Sequence, residues 1–234
     1  AIVGDRPRER MKELALTYLG SLPTRPGDDP ELDELRQIEQ NEGPLTDTVE
    51  VETITPRAVV RLGWRGAWWT EVVERRTLSI ASQILQTRLR KAIREDRGLT
   101  YSIFSFSRPG QEWNNMGFIA TQFTADPEKA EQAAKIARQV IEDFAAEGPT
   151  EEEMTTVRKQ FTNIIETSQK EPTYWASVMS DMDLHGTVLA DVATAEEAYT
   201  TYTREQIMNS LRENVKPERY FQVIALPKDP DDAE

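Results

Sequence analysis

From Thr70 to about Arg94, apolar residues recur at spacings of three and four: Leu78, Ala81, Leu85, Leu89 and Ala92. That spacing puts them on one face of a long helix, and such a stripe has to be buried against another element. Gly98 follows, suited to the left-handed position that ends helices. Beyond it stand two strand candidates, YSIFSFS and GFIATQFT, joined by RPGQEWNNM, a loop bearing Gly, Pro and Asn. A long helix running into a hairpin restricts the chain to layered folds that share one core.

The other segments complete the order. Ahead of the helix, DTVEVETI alternates Val49, Val51 and Thr53 against acids, and RAVVRLGW is a second strand candidate. After the hairpin, Asp126 and Pro127 predict an N-cap and first helical position, opening a helix to about Glu147. Thr150 with Glu153 forms a capping box, Pro172 interrupts, and a further helix carries Tyr174, Val178 and Met182. Thr203 with Gln206 caps a last helix, and RYFQVIAL is a final strand. The expected class is α+β: a mostly antiparallel or mixed sheet covered by helices on one face.

The N-terminal part has a different character. Ile2-Val3 predicts the end of a strand, and RPRERMKELALTYLGSL a short helix with Met11, Leu14, Ala15 and Tyr18 on one face. PTRPGDDPELDELRQIEQNEGP is rich in Pro, Gly and acids, which suits a linker. The expected division is residues 1–20 as the strand–helix tail of a preceding domain and 21–44 as a linker. Residues 45–228 then form the α+β domain and 229–234 an acidic tail. A start at AIVGD, with no initiator Met and no signal peptide, makes a piece of a longer protein the expectation.

Composition excludes several functions. A net charge of −13 argues against nucleic acid and against an anionic membrane face. There is no run of about 18 apolar residues, so no membrane-spanning segment is expected. With no cysteine there is no disulfide, thiolate nucleophile or cysteine metal site. His185 is the only histidine, whereas a catalytic zinc needs roughly three protein ligands. Beside Gly186 it suits a helix end instead. Glu151, Glu152 and Glu153 point about 100° apart on a helix, so they do not converge on a metal but do meet the helix dipole. Gly63 and Gly66 lack a phosphate-loop context, and Trp64, Trp68 and Trp69 suit core or helix-entry packing.

Arg94 and Tyr101 remain. As residues alone they read as structural: Arg94 complements the dipole in a last helical turn, and Tyr101 is a good strand residue.

Around them, however, LRKAIREDRGLTYSIFS followed by GFIATQFTADPEKAEQAAKIARQVIEDFAAEGPTEEEM resembles the C-terminal half of peptidases of the pitrilysin/insulinase (M16) family. The segment AIVGDRPRERMKELALTYLGSLP is similar to the strand and helix that close the preceding domain of such proteins, so the resemblance spans nearly the whole chain. It implies a LuxS/MPP-like metallohydrolase fold. It also implies that the zinc motif, an inverted His-x-x-Glu-His, lies elsewhere: in an N-terminal half or a partner subunit. By the same resemblance, Arg94 and Tyr101 fall on an Arg and a Tyr that reach across a chamber to that zinc site. The expected function is then the substrate-binding half of a zinc peptidase that cleaves peptides, inactive alone. The alternative is a non-catalytic scaffold, as in respiratory-complex core proteins, and a third reading is an α+β domain that only packs or dimerises. Large bacterial members of the family are often exported, which makes the bacterial periplasm the expected compartment.

Overall fold

The computed structural model describes residues 2–24, 34, 43–66, 71–100, 102–110, 113 and 116–228, except for the side chains at 181 and 183–185. Its centre is a five-stranded sheet. The strands are β1 (Leu45–Val51), β2 (Ala58–Arg65), β3 (Ile103–Arg108), β4 (Phe118–Ala125) and β5 (Tyr220–Pro227), in the order β1-β5-β2-β4-β3. β1 runs parallel to β5, and every other neighbouring pair is antiparallel. The sheet is therefore mixed, as the sequence order predicted.

Alternation decides which face is covered. On β2, Ala58, Val60, Leu62 and Trp64 are at most 1% exposed, while Val59 and Arg61 between them are open. Their partners across β4 in register are Ala125, Phe123, Thr121 and Ile119, all buried. Side chains two apart share a face, so this row is the inner wall of the core. Position 63 lies on the other face and is a glycine because β4 passes too close: a Cβ there would come within 2.3 Å of the Ile119 carbonyl oxygen.

The helices supply the other wall. α1 (Arg8–Tyr18) comes first in the chain and buries none of its residues. α2 (Val72–Leu89) continues as a π-helical turn, Arg90–Glu95, and packs on β3 and β4. α3 (Ala130–Glu147) crosses β2 and meets α2. α4 (Glu151–Ser168), α5 (Pro172–His185), α6 (Leu189–Ala193), α7 (Ala195–Thr201) and α8 (Arg204–Asn214) follow. α8 closes the layer against α2 and α3. The stripe of α2 behaves as its spacing predicts: Leu78, Ala81, Leu85 and Leu89 are all 0% exposed. Burying each such leucine stabilises the fold by about 1.5–3 kcal/mol.

Local signals fare unevenly. Both capping boxes form, at Thr150–Glu153 and at Thr203–Gln206. The Asp126 side chain does not cap its helix. Arg57 and Lys129 hold its carboxylate at 2.7 and 3.1 Å, and a 3-10 turn over Pro127–Lys129 precedes α3. α6 and α7 were not anticipated, because five and seven residues are too few to show a repeating apolar face. Ile2 and Val3 lie outside any strand, with Ile2 exposed. Most of the expected linker, the acidic tail, Trp68, Trp69 and Tyr101 lie outside the described residues.

The sheet face away from the helices carries no helix among the described residues, and apart from Arg61 and its hydrogen-bond partner Gln122 much of it is apolar. Val59, Val223 and Phe104 are open on it. Phe118 sits between Phe106 and Phe221, with edge-on ring contacts of 5.9 and 6.0 Å.

Candidate functional site

The stripe of α2 does not stop at Leu89. Ile93, in the π turn, is also 0% exposed, so burial continues while the backbone changes register. The Asp96 N–H donates to the Lys91 carbonyl at 2.9 Å, a bond across five residues rather than four. Gly98 then takes φ +62°, which a side chain would resist, and its N–H donates to the Arg94 carbonyl at 2.9 Å. Leu99 N–H donates to the Ile93 carbonyl, also at 2.9 Å. The backbone around Arg94 is thus tied on both sides.

Its side chain is not tied. Arg94 is exposed, and among the described residues its guanidinium makes no hydrogen bond or ion pair. By contrast Arg97, three residues on, donates back to the Ala92 carbonyl at 2.6 Å. A fixed backbone under an uncommitted guanidinium leaves a forked set of donors available to a carbonyl or carboxylate from outside.

After the turn the chain is anchored again. Leu99 and Thr100 are buried, and the Thr100 hydroxyl donates to the Thr124 carbonyl of β4 at 2.6 Å. Within β3 the Ser105 N–H donates to the side-chain oxygen of Gln86 on α2 at 3.3 Å. Tyr101, the second expected site residue, lies outside the described residues. The structure accordingly fixes Arg94 and the anchors preceding and following position 101, not the pair.

A contact between two side chains that the sequence does not bring together, Arg88 and Glu153, holds this corner. Arg88, in the last turn of α2, donates from Nε and Nη2 to the two Glu153 carboxylate oxygens at 2.7 and 2.8 Å. It also donates to the Gly148 carbonyl at 3.1 Å and lies 4.4 Å from the centroid of the Phe144 ring. Burial pushes the Glu153 carboxyl up, yet hydrogen bonds from Arg88 and the Thr150 backbone outweigh it and hold the group below the usual carboxylate range. Glu153 was visible in sequence only as a capping-box residue. Its second role needs α2 beside α4, which no local pattern shows.

The remaining candidates resolve into structure. Glu151 and Glu152 are exposed in the first turn of α4. α5 ends at His185, with Gly186 in the left-handed conformation. Trp64 is buried against Tyr220, ring centroids 5.2 Å apart. Among the described residues no three His, Asp or Glu side chains come together around a possible metal, and the chain has one histidine, so its residues do not fit a catalytic zinc. No described helix is long and apolar enough to cross a membrane.

The Arg94 turn also opens onto a sheet edge. β3 pairs with β4 alone among the described residues, so it is an edge strand of the described sheet.

Comparison with known proteins adds the context. The family described as "Peptidase M16 inactive domain" matches residues 1–161. No curated protein matches the chain in sequence. Among solved structures, the peptidase M16 inactive domain from Pseudomonas fluorescens superposes with a TM-score of 0.77 at 21% identity, over 97% of this chain and 53% of that one. A protease from Helicobacter pylori gives a TM-score of 0.78 at 15% identity, over 96% of this chain and 54% of that one. The periplasmic protease PqqL from Escherichia coli gives 0.73 at 20% identity, over 96% of this chain and 25% of that one. At these identities the likeness is one of fold. The chain spans about half the length of the first two structures and a quarter of the third.

Proposed function

We propose, since this chain belongs to the peptidase M16 family and matches its inactive domain, that it is the substrate-binding half of a zinc peptidase. Alone it is inactive. The zinc belongs to an N-terminal half of the same protein or to a partner subunit, because this chain has a single histidine and its described residues hold no cluster that fits a catalytic zinc. On this reading residues 1–20 close a preceding domain and 21–44 link it to the domain at 45–228, with 229–234 as a tail. A helix α1 that buries none of its own residues supports that division, since its packing surface then lies elsewhere.

The observation that carries the proposal is Arg94: an exposed guanidinium, uncommitted among the described residues, on a backbone held from both sides. Surface arginines are common, but few stand on a π turn at the junction of a core helix and an edge strand, a setting enriched in functional sites. Arg94 would hold a carbonyl oxygen of a peptide lying against this rim. Tyr101, placed by the family pattern seven residues on, would donate its hydroxyl to the oxygen that becomes negative as the peptide bond is attacked. Both contributions are hydrogen bonds aimed at developing charge, and neither needs the chain to supply a nucleophile.

The test is cleavage of a long fluorogenic peptide by the peptidase reassembled from this chain and its metal-bearing half, comparing wild type with Tyr101→Phe at equal Tm. A loss of about a hundredfold is the expected result. Equal activity would remove Tyr101 from the mechanism. No cleavage by the wild-type assembly, with zinc supplied and many peptides tried, would favour the scaffold reading.

A further inference from the structure

We propose that the cavity between the start of α2, the far half of α4 and the helices α5 to α7 binds a small carboxylic acid with an apolar body. The cavity has a volume of about 440 Å³, within the range of small-molecule sites. Its walls are mainly apolar, built from Phe161, Ile164 and Ile165 of α4, Val178 of α5, Val192 of α6 and Tyr199 of α7. The Phe161 and Tyr199 rings stack 4.4 Å apart at an interplanar angle of 7°, giving one wall a flat, rigid surface.

The charge in this wall is what points to an acid. Arg76 lines the cavity and is only 8% exposed. Its Nη2 donates to the Asp191 carbonyl oxygen at 2.5 Å, and its guanidinium carbon lies 5.8 Å from the Tyr199 ring centroid. No carboxylate pairs with it among the described residues. Arg75 and Asp191 also line the cavity and attract one another electrostatically, so among the described side chains of the lining the charge of Arg76 is not offset by a carboxylate. A buried guanidinium that donates to a backbone carbonyl still has donors to satisfy, and leaving its charge unpaired in an apolar wall is costly. A carboxylate answers both needs through a two-point hydrogen bond, while the apolar walls take the body of the molecule. Ile164, half exposed, stands at the rim.

Two sources offer this chemistry: a free medium-chain acid, and the C-terminal carboxylate of an apolar amino acid. Calorimetric titration of the 234-residue chain separates them, with octanoate for the first and N-acetyl-phenylalanine for the second. Octanamide and N-acetyl-phenylalaninamide serve as uncharged controls. At least one acid is expected to bind saturably at one site, and its amide at least about tenfold more weakly. Arg76→Gln is expected to weaken binding by about tenfold or more. Should that buried substitution fail to fold, Ile164→Glu places a repelling charge at the exposed rim without disturbing the core and is expected to weaken binding similarly. The proposal is overturned by no saturable binding of either acid at millimolar concentration. It is equally overturned if the amides bind as well as the acids, or if Ile164→Glu leaves affinity unchanged.

Discussion

Arg88 and Glu153 stand at the end of one helix and the start of another, and they meet through two hydrogen bonds of 2.7 and 2.8 Å. Glu153 spends a carboxylate oxygen on the Thr150 N–H as well, so one side chain both caps α4 and anchors α2. Removing its charge should therefore cost more than removing an ordinary surface ion pair. Glu153→Gln is expected to destabilise the chain by about 1–2 kcal/mol at pH 7, read from urea denaturation.

The pH dependence follows from the direction of the shift. Glu153 is held below its usual range in the fold, so its contribution is present above the unfolded-state value of about 4.3 and is lost as pH falls through the lower folded value. The stability gap between wild type and Glu153→Gln should be constant from pH 7 to about 5.5 and then narrow as pH falls further. A gap that stays fixed at pH 4 would mean that the capping hydrogen bond, not the charge, carries the effect.

Arg94 should separate activity from stability. Being exposed and uncommitted among the described residues, it is expected to tolerate Arg94→Ala with Tm unchanged. In the reassembled peptidase the same change should cut peptide cleavage by about a hundredfold, with Arg94→Lys recovering only part of it, because a lysine lacks the planar fork. A fall in Tm that matched the loss of activity would mark Arg94 as a structural residue.

Thr100 should show the opposite behaviour. Its hydroxyl satisfies the Thr124 carbonyl in a buried setting. Thr100→Val keeps the shape and orphans that acceptor, so a loss of about 1–3 kcal/mol is expected by urea denaturation. Thr100→Ser, which keeps the hydroxyl, should recover most of it.

Tyr220 is expected to contribute an alkaline limit. Burial pushes its phenol up to about 12, with nearby Arg138 pulling the other way. An acid whose folded value exceeds the unfolded value near 10 contributes fully below pH 10, and that contribution fades as pH rises toward 12. Tm should therefore drop less between pH 9 and about 11.5 in Tyr220→Phe than in the wild type. Identical slopes would show that other groups set the alkaline limit.

These predictions rest on features that differ in how far the sequence reveals them. The α2 stripe, the two capping boxes and Gly98 are local, because each depends on residues within a turn or two. The π turn at Arg90–Glu95 is not, since a change from four- to five-residue bonding follows from keeping Ile93 in the core. The Asp126 cap was lost to Arg57, 69 positions away, a competitor that no window around residue 126 contains. The Arg88–Glu153 tie and the cavity beside Arg76 likewise need helices that are distant in sequence to be adjacent in space. Arg94 and Tyr101 became a candidate pair through family resemblance alone; what the structure adds is a backbone held at Arg94 and a guanidinium uncommitted among the described residues.

The placement of β5 also sets the order in which the chain can assemble. Leu45 pairs with Phe221, and Val60 pairs with Ile224, so the strand of the described sheet that comes last in chain order lies between the two that come first. Until residues 220–227 arrive, β1 has no neighbour in the sheet, while β2 can pair only with β4. Until then the sheet lacks the strand that joins β1 to β2. Such a topology slows folding, since its decisive contacts close the longest loops.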